Sequence, residues 1–121
     1  MFFVLVPKVA IAEPLQYPYG SIRHWSDKYD VDSKLAIAIA TCESDLNPRA
    51  RSPFSTAKGL FQFIDGSWKY YGLMKWGTLK GKSVLDYEDN AELAVWVMSE
   101  FSTKPWDSSR HCWSPDSVKR V

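Results

Sequence analysis

Apolar residues recur at helical spacing in four stretches of the chain, separated by polar or proline-marked segments. In "SIRHWSDKY", Ile22, Trp25 and Tyr29 share one side and Ser21 is the expected cap. Asp30 or Asp32 can cap the next helix, about 32–45, whose stripe is Leu35, Ala38, Ile39 and Cys42 and whose expected stop is Asn47-Pro48. Residues 47–58 are a polar loop, and Gly59 to Phe63 are a short apolar piece, one turn or a brief strand. Asp65 is the expected cap of a helix in "GSWKYYG" that Gly72 closes. Residues 72–86, with three glycines and several lysines, read as irregular loop. A long helix over about 88–102 carries Leu93, Trp96, Val97 and Phe101 on one face. "TKPWDSSRHCWSPDS" reads as loop with at most a short final turn, and "EPLQYPYG" as an extended arm. The pattern specifies a mainly α fold with short helices and long loops.

Composition narrows this to one domain. The chain has 121 residues, 45% hydrophobic and 24% charged, enough for a single core and too short for two ordinary domains. A net charge of +1 builds no field for nucleic acid. Residues 1–12, "MFFVLVPKVAIA", are too short to span a bilayer. Ala10-Ile11-Ala12 has the small-x-small form of a signal-peptidase site, so this segment is the remnant of a signal peptide or an apolar arm, and 13–121 are the folded domain. Cys42 and Cys112 fit one disulfide in an oxidising compartment, with a packed Cys42 thiol as the alternative. Two Cys and two scattered His make no zinc pattern, and no phosphate loop or serine elbow occurs, so neither metal nor cofactor is expected.

Glu43 is the residue that asks for an explanation. At about 100° per residue, and with Leu35 at zero, it lies about 80° round the helix, at the border of the apolar stripe. A half-desolvated carboxylate on a helix's last turn, near the negative end of the dipole, has its pKa raised and suits a general acid. From position alone, a surface glutamate paired with Arg49 or Arg51 is the plainer reading. Asp45 points about 160° away from Glu43, and Asp65 reads as a cap, so no second catalytic carboxylate is visible.

The residues around Glu43 resemble the lytic transglycosylase family of the soluble and goose-type lysozyme-like class. "ESDLNP" with Ser52 beyond matches its Glu-Ser-x-(Leu/Phe)-Asn-Pro…Ser motif, through Glu43, Ser44, Leu46, Asn47, Pro48 and Ser52. "GLFQ", Gly59 to Gln62, matches its Gly-Leu-x-Gln motif. "LDYEDNAELAVWVMSEF", Leu85 to Phe101, matches its Asp-rich turn leading to Asn and a long helix. Three motifs in order cover about 29–101. The Ala-Tyr-Asn of many members is missing; "KPWDSSRHCW" instead resembles the ending of small cell-wall enzymes related to resuscitation-promoting factors.

The resemblance implies a lysozyme-like α domain that cleaves the β-1,4 bond between N-acetylmuramic acid and N-acetylglucosamine. Glu43 would be the sole acid and then base, leaving a 1,6-anhydro product. It implies sugar contacts from Ser52 and Gln62 first, and from Ser44, Phe61, Trp106 and Ser109. Trp106 is the expected sugar-stacking ring, with simple packing as its alternative. Trp25 and Trp96 are expected in the core, while Trp68 and Trp76 stay open. The expected partner is the peptidoglycan glycan strand, met by an exported monomer, with a part in a cell-envelope machine left open. A lysozyme-type hydrolase and a non-catalytic glycan-binding module are the rival readings.

Overall fold

The computed structural model describes residues 17–115. Residues 1–12 and the start of the expected arm lie outside them. Four longer helices carry the fold: α1 (Tyr19–Tyr29), α2 (Ser33–Ser44), α3 (Asp65–Trp76) and α4 (Tyr87–Phe101). A 3-10 segment (Lys104–Ser109) and the short α5 (Arg110–Trp113) replace the loop expected after α4. Among the described residues, strand-like pairing is confined to two isolated bridges, Arg51 with Lys58 and Lys58 with Phe63.

The helices form where apolar spacing and caps agree, and differ from expectation where a cap was misassigned. α1 starts at Tyr19 with Pro18 in the cap position, three residues before the expected Ser21 cap, and Ser21 is buried in its first turn. Asp32 caps α2, its side chain accepting the Lys34 N–H at 2.9 Å. α2 ends before Asn47-Pro48, because Asp45 and Leu46 both turn left-handed (φ 56° and 60°). Asp65 is the first residue of α3 and not its cap; its carboxylate meets Lys58 Nζ at 2.6 Å. Gly72 does not end α3 either. It is buried, and a Cβ there would stand 2.6 Å from Leu79 Cδ2, so this glycine admits the following loop. Gly77, at φ 76°, closes the helix with its N–H on the Leu73 carbonyl.

α4 is the central element. Asp86 caps it by accepting the Asp89 N–H at 2.9 Å. Its buried residues, Asn90, Ala91, Leu93, Ala94, Val95, Val97 and Met98, cover about 200° of the helix at about 100° per residue. The expected one-sided face is therefore too narrow, and it is also displaced: Trp96 is only half-buried and Phe101 is 40% exposed. α1 lies along α4 and α2, while α2 packs on α5 and the 3-10 segment. Lys75 ties α3 to both neighbours, donating to Tyr29 Oη of α1 at 2.7 Å and lying 3.4 Å from Glu92 Oε2 of α4. Trp68 is core, edge-on to Phe63 and Trp76. Trp25 is half-buried, packed on the core with its indole N–H on Glu88 Oε1.

Asn90 fixes the 59–63 turn to α4. Its fully buried amide accepts the Phe61 N–H and donates to the Val84 carbonyl, both at 2.8 Å. Gly59, at φ +88°, lies so close that a Cβ would collide with both the Asn90 amide and the Val84 carbonyl. Cys42 and Cys112 form a disulfide with Cα atoms 6.1 Å apart, joining the last turn of α2 to α5 across 70 residues of sequence.

Two outcomes follow from these ties. Asn90→Ala orphans a buried N–H, worth about 1–3 kcal/mol of desolvation, and frees a part-buried carbonyl, so a loss of about 2–4 kcal/mol is expected in urea unfolding. A loss below 1 kcal/mol would show that the turn holds itself. Reducing the disulfide is expected to lower stability by about 4 kcal/mol on the chain-entropy account. Unfolding curves with and without reductant measure it, and superimposable curves would refute the tether.

Candidate active site

Glu43 lies on the buried face of α2. Ala36, Ile39 and Ala40 are fully buried, and Glu43 continues that row at i, i+3, i+4, i+7. With Leu35 at zero they fall at about 100°, 40° and 140°, so Glu43 at about 80° is near the centre of the face and not at its border. The expectation had weighted the larger Leu35 and Cys42, which are half-buried flanks; the small alanines make the close contact. The left-handed pair at Asp45 and Leu46 then turns the chain away, leaving the acid facing open space.

The opposite wall is the loop and turn from 50 to 63, held by backbone bonds from Ser52 N to Ala57 O and from Gly59 N to Ala50 O. Lys58 and Phe63 exchange N–H to carbonyl bonds at 3.1 Å. Ser44 Oγ sits 2.7 Å from the Leu60 carbonyl and 3.1 Å from that of Ala40, pinning this turn to α2.

Between these walls lies a cavity of about 330 Å³. Among the described residues Glu43 is the one acid lining it; Ser52, Ser55, Ser67, Ser108, Gln62 and Tyr71 give it a neutral polar surface. Ile64, Phe63, Pro105 and Trp106 supply the apolar part. Asp45 and Asp65 do not line it and are exposed, as the opposed wheel position of Asp45 foretold.

Glu43 is paired with neither Arg49 nor Arg51. Its Oε2 accepts the Ser109 hydroxyl at 2.5 Å. Burial raises the Glu43 pKa above the ordinary glutamate range, and the Ser109 hydrogen bond, pulling down, offsets part of that. Ser109 is itself oriented: Trp113 Nε1 donates to its oxygen at 3.0 Å, and the Trp106 carbonyl stands 3.1 Å away as a second acceptor. The disulfide anchors this arrangement, because Cys42 precedes Glu43 and Cys112 lies one helical turn after Ser109.

The structure thus brings Glu43, Ser52, Gln62, Trp106 and Ser109 together, but not all in the expected roles. Gln62, at φ 55°, gives both amide hydrogens to backbone carbonyls, those of Ala50 (3.1 Å) and Gly59 (3.0 Å), which leaves its carbonyl oxygen as the remaining polar end. Phe61 is fully buried, so its ring cannot reach a ligand; its backbone bridges Asn90 and the Trp106 indole N–H. Ser44 is committed to backbone carbonyls and does not line the cavity. Trp106 is 4% exposed, edge-on to Phe61 and Phe63, and offers a wall in place of the open stacking face expected of it.

Sequence reasoning missed Ser55, Ser67, Tyr71 and Ser108. Ile64, Ser67 and Tyr71 stand at i, i+3, i+7, a row along the expected helix that faces the cavity. Tyr71 brings an aromatic hydroxyl to the lining from α3.

The transglycosylase SLT-domain profile matches residues 20–113. No curated protein and no solved structure matches significantly. The match spans all six helical segments and both walls of the cavity, and the chain therefore belongs to the transglycosylase SLT-domain family, the lysozyme-like lytic transglycosylases of peptidoglycan.

Proposed function

We propose that this protein is a catalytically active lytic transglycosylase in which Glu43 serves alone, first as acid and then as base. One observation carries this reading: a single, half-buried carboxylate with a raised pKa faces a cavity otherwise lined by neutral groups. A carboxyl group held protonated near neutrality can donate to a leaving oxygen.

In the first step the Glu43 proton passes to O4 of N-acetylglucosamine as the C1–O4 bond breaks. Positive charge develops at C1 of N-acetylmuramic acid. With no second carboxylate on the wall, the substrate's own acetamido oxygen attacks C1 and holds the charge as an oxazolinium ion. In the second step ionised Glu43 takes the proton of the C6 hydroxyl, O6 attacks C1, and the oxazolinium opens to a 1,6-anhydro ring. Glu43 ends protonated, as it began, and no water is consumed. The tethered hydroxyl has an entropic advantage over a free water molecule.

Ser109 suits both steps. Its proton can point to the Glu43 carboxylate when that group is ionised, and turn to the Trp106 carbonyl when Glu43 carries its own proton. It is a positioning residue for the acid. The disulfide fits an oxidising compartment, and action on the wall outside the cytoplasm is part of this proposal. No helix among the described residues is long and apolar enough to cross a membrane.

Glu43→Gln is expected to lose about 10²–10⁴-fold in wall cleavage. It should also be more stable than the parent at neutral pH. The raised native pKa means that the folded chain binds the proton more tightly, so the parent's stability falls as pH rises from the ordinary glutamate range (about pH 4–5) toward that raised value. Muropeptide mass spectrometry reads the parent's product. A species one water lighter than the hydrolysed form, resistant to borohydride, is expected, and a fully reducible product would make the enzyme a hydrolase.

Ser109→Ala removes the interaction that lowers the Glu43 pKa. The basic limb of the kcat/KM profile, where the acid form is lost, should move to higher pH. A basic limb that stays in place while only the height drops would leave Ser109 a structural residue.

A further inference from the structure

A second cavity, of about 510 Å³, lies behind the wall that faces Glu43. It is lined by Arg49, Arg51, Ser83, Leu85 and Asp86. Arg51 and Ser52 are consecutive, yet Arg51 lines this cavity and Ser52 the catalytic one. Arg51 pairs with Lys58 in an isolated bridge, while Arg49 sits in the turn just before it, its N–H on Asn47 Oδ1 at 2.9 Å and the Ala50 N–H on the Asn47 carbonyl, and both arginines line this one cavity.

Both guanidiniums are exposed. Among the described residues the ion pairs within 4 Å are Lys58 with Asp65, Lys75 with Glu92 and Lys82 with Asp89, and neither arginine is in one. The acid of the described lining, Asp86, has one oxygen bound by the Asp89 N–H as the cap of α4. Ser83 Oγ accepts the Leu85 N–H and keeps its own proton to donate. Two fork-shaped cations and a hydroxyl donor thus face one space against a single carboxylate, and the net positive lining suits one further carboxylate. The pair is too small, and the net charge of +1 too low, for a phosphate polymer that needs a long positive stripe.

We propose that Arg49 and Arg51 hold the carboxylates of the stem peptide that hangs from N-acetylmuramic acid, which makes the enzyme selective for peptide-bearing strands. This rests on the catalytic cavity being the sugar site. The peptide leaves the very sugar whose C1 is attacked, and two or three extended residues reach about 7–11 Å, enough to pass the 50–52 segment.

The test uses two forms of one substrate: glycan strands bearing their stem peptides, and the same strands stripped by an N-acetylmuramoyl-alanine amidase. The parent should favour the peptide-bearing form by about tenfold in kcat/KM, less at high salt. The double variant Arg49→Gln with Arg51→Gln should lose that preference and cleave stripped strands at the parent's rate. Arg49→Lys with Arg51→Lys should restore part of it. A parent that cuts both forms equally overturns the cradle and leaves the transglycosylase reading standing, as does a double variant equally impaired on both. Equilibrium binding of a peptide-bearing and a peptide-free disaccharide to Glu43→Gln decides the matter without catalysis. Tighter, salt-sensitive binding of the former, abolished by the arginine changes, supports the cradle even if cleavage fails, and equal binding of both refutes it.

Discussion

The buried amide of Asn90 is the constraint on which the rest of the molecule depends. It lies on the broad buried face of α4 and has two backbone partners outside that helix. One partner begins the turn that forms the cavity's far wall; the other belongs to the loop leading into α4. A side chain of different shape would leave a peptide group buried without a partner, and nothing else in the core offers a replacement. Gly59 completes the constraint from the other direction, since the approach needed by Asn90 leaves no space for a Cβ. The Gly-Leu-Phe-Gln segment and the Asn of α4 are therefore two halves of one joint, although about thirty residues apart in sequence.

The acid depends on that joint indirectly. Ser44 fastens the turn to α2 at one point, and the Trp106 indole fastens it to the C-terminal segment at another. The Phe61 peptide thus links Asn90 on one side with Trp106 on the other, and the Trp106 carbonyl lies beside Ser109, the partner of Glu43. Burial is the larger influence on the Glu43 pKa, and this turn supplies one side of its surroundings while the C-terminal segment packed on α2 supplies another.

Much of this was legible in the sequence. The helices declare themselves by period and, for α2, by Asp32 at its start, while Glu43 was singled out by the three family motifs around it, its position alone favouring a surface acid. Errors arose where small residues carried the packing. Ala36 and Ala40 are the close contacts of α2, yet hydropathy gave more weight to Leu35 and Cys42. Gly72 read as a stop because glycine usually ends helices, whereas here it admits Leu79. Phe61 and Trp106 read as ligand contacts because their motifs surround the acid; their burial arises from long-range packing that local patterning does not encode. The cavity hydroxyls of α3, Ser67 and Tyr71, lie inside the expected helix, but which of its faces meets Glu43 is set by tertiary packing.

The bond between Ser109 and Glu43 spans 66 positions of the chain. During vectorial synthesis the helix that bears the acid is complete long before its hydroxyl partner exists. Translation must run through nearly the whole described domain before the Glu43 carboxylate acquires its neighbour. A fragment released early carries the acid without the burial and the hydroxyl that the complete domain places around it.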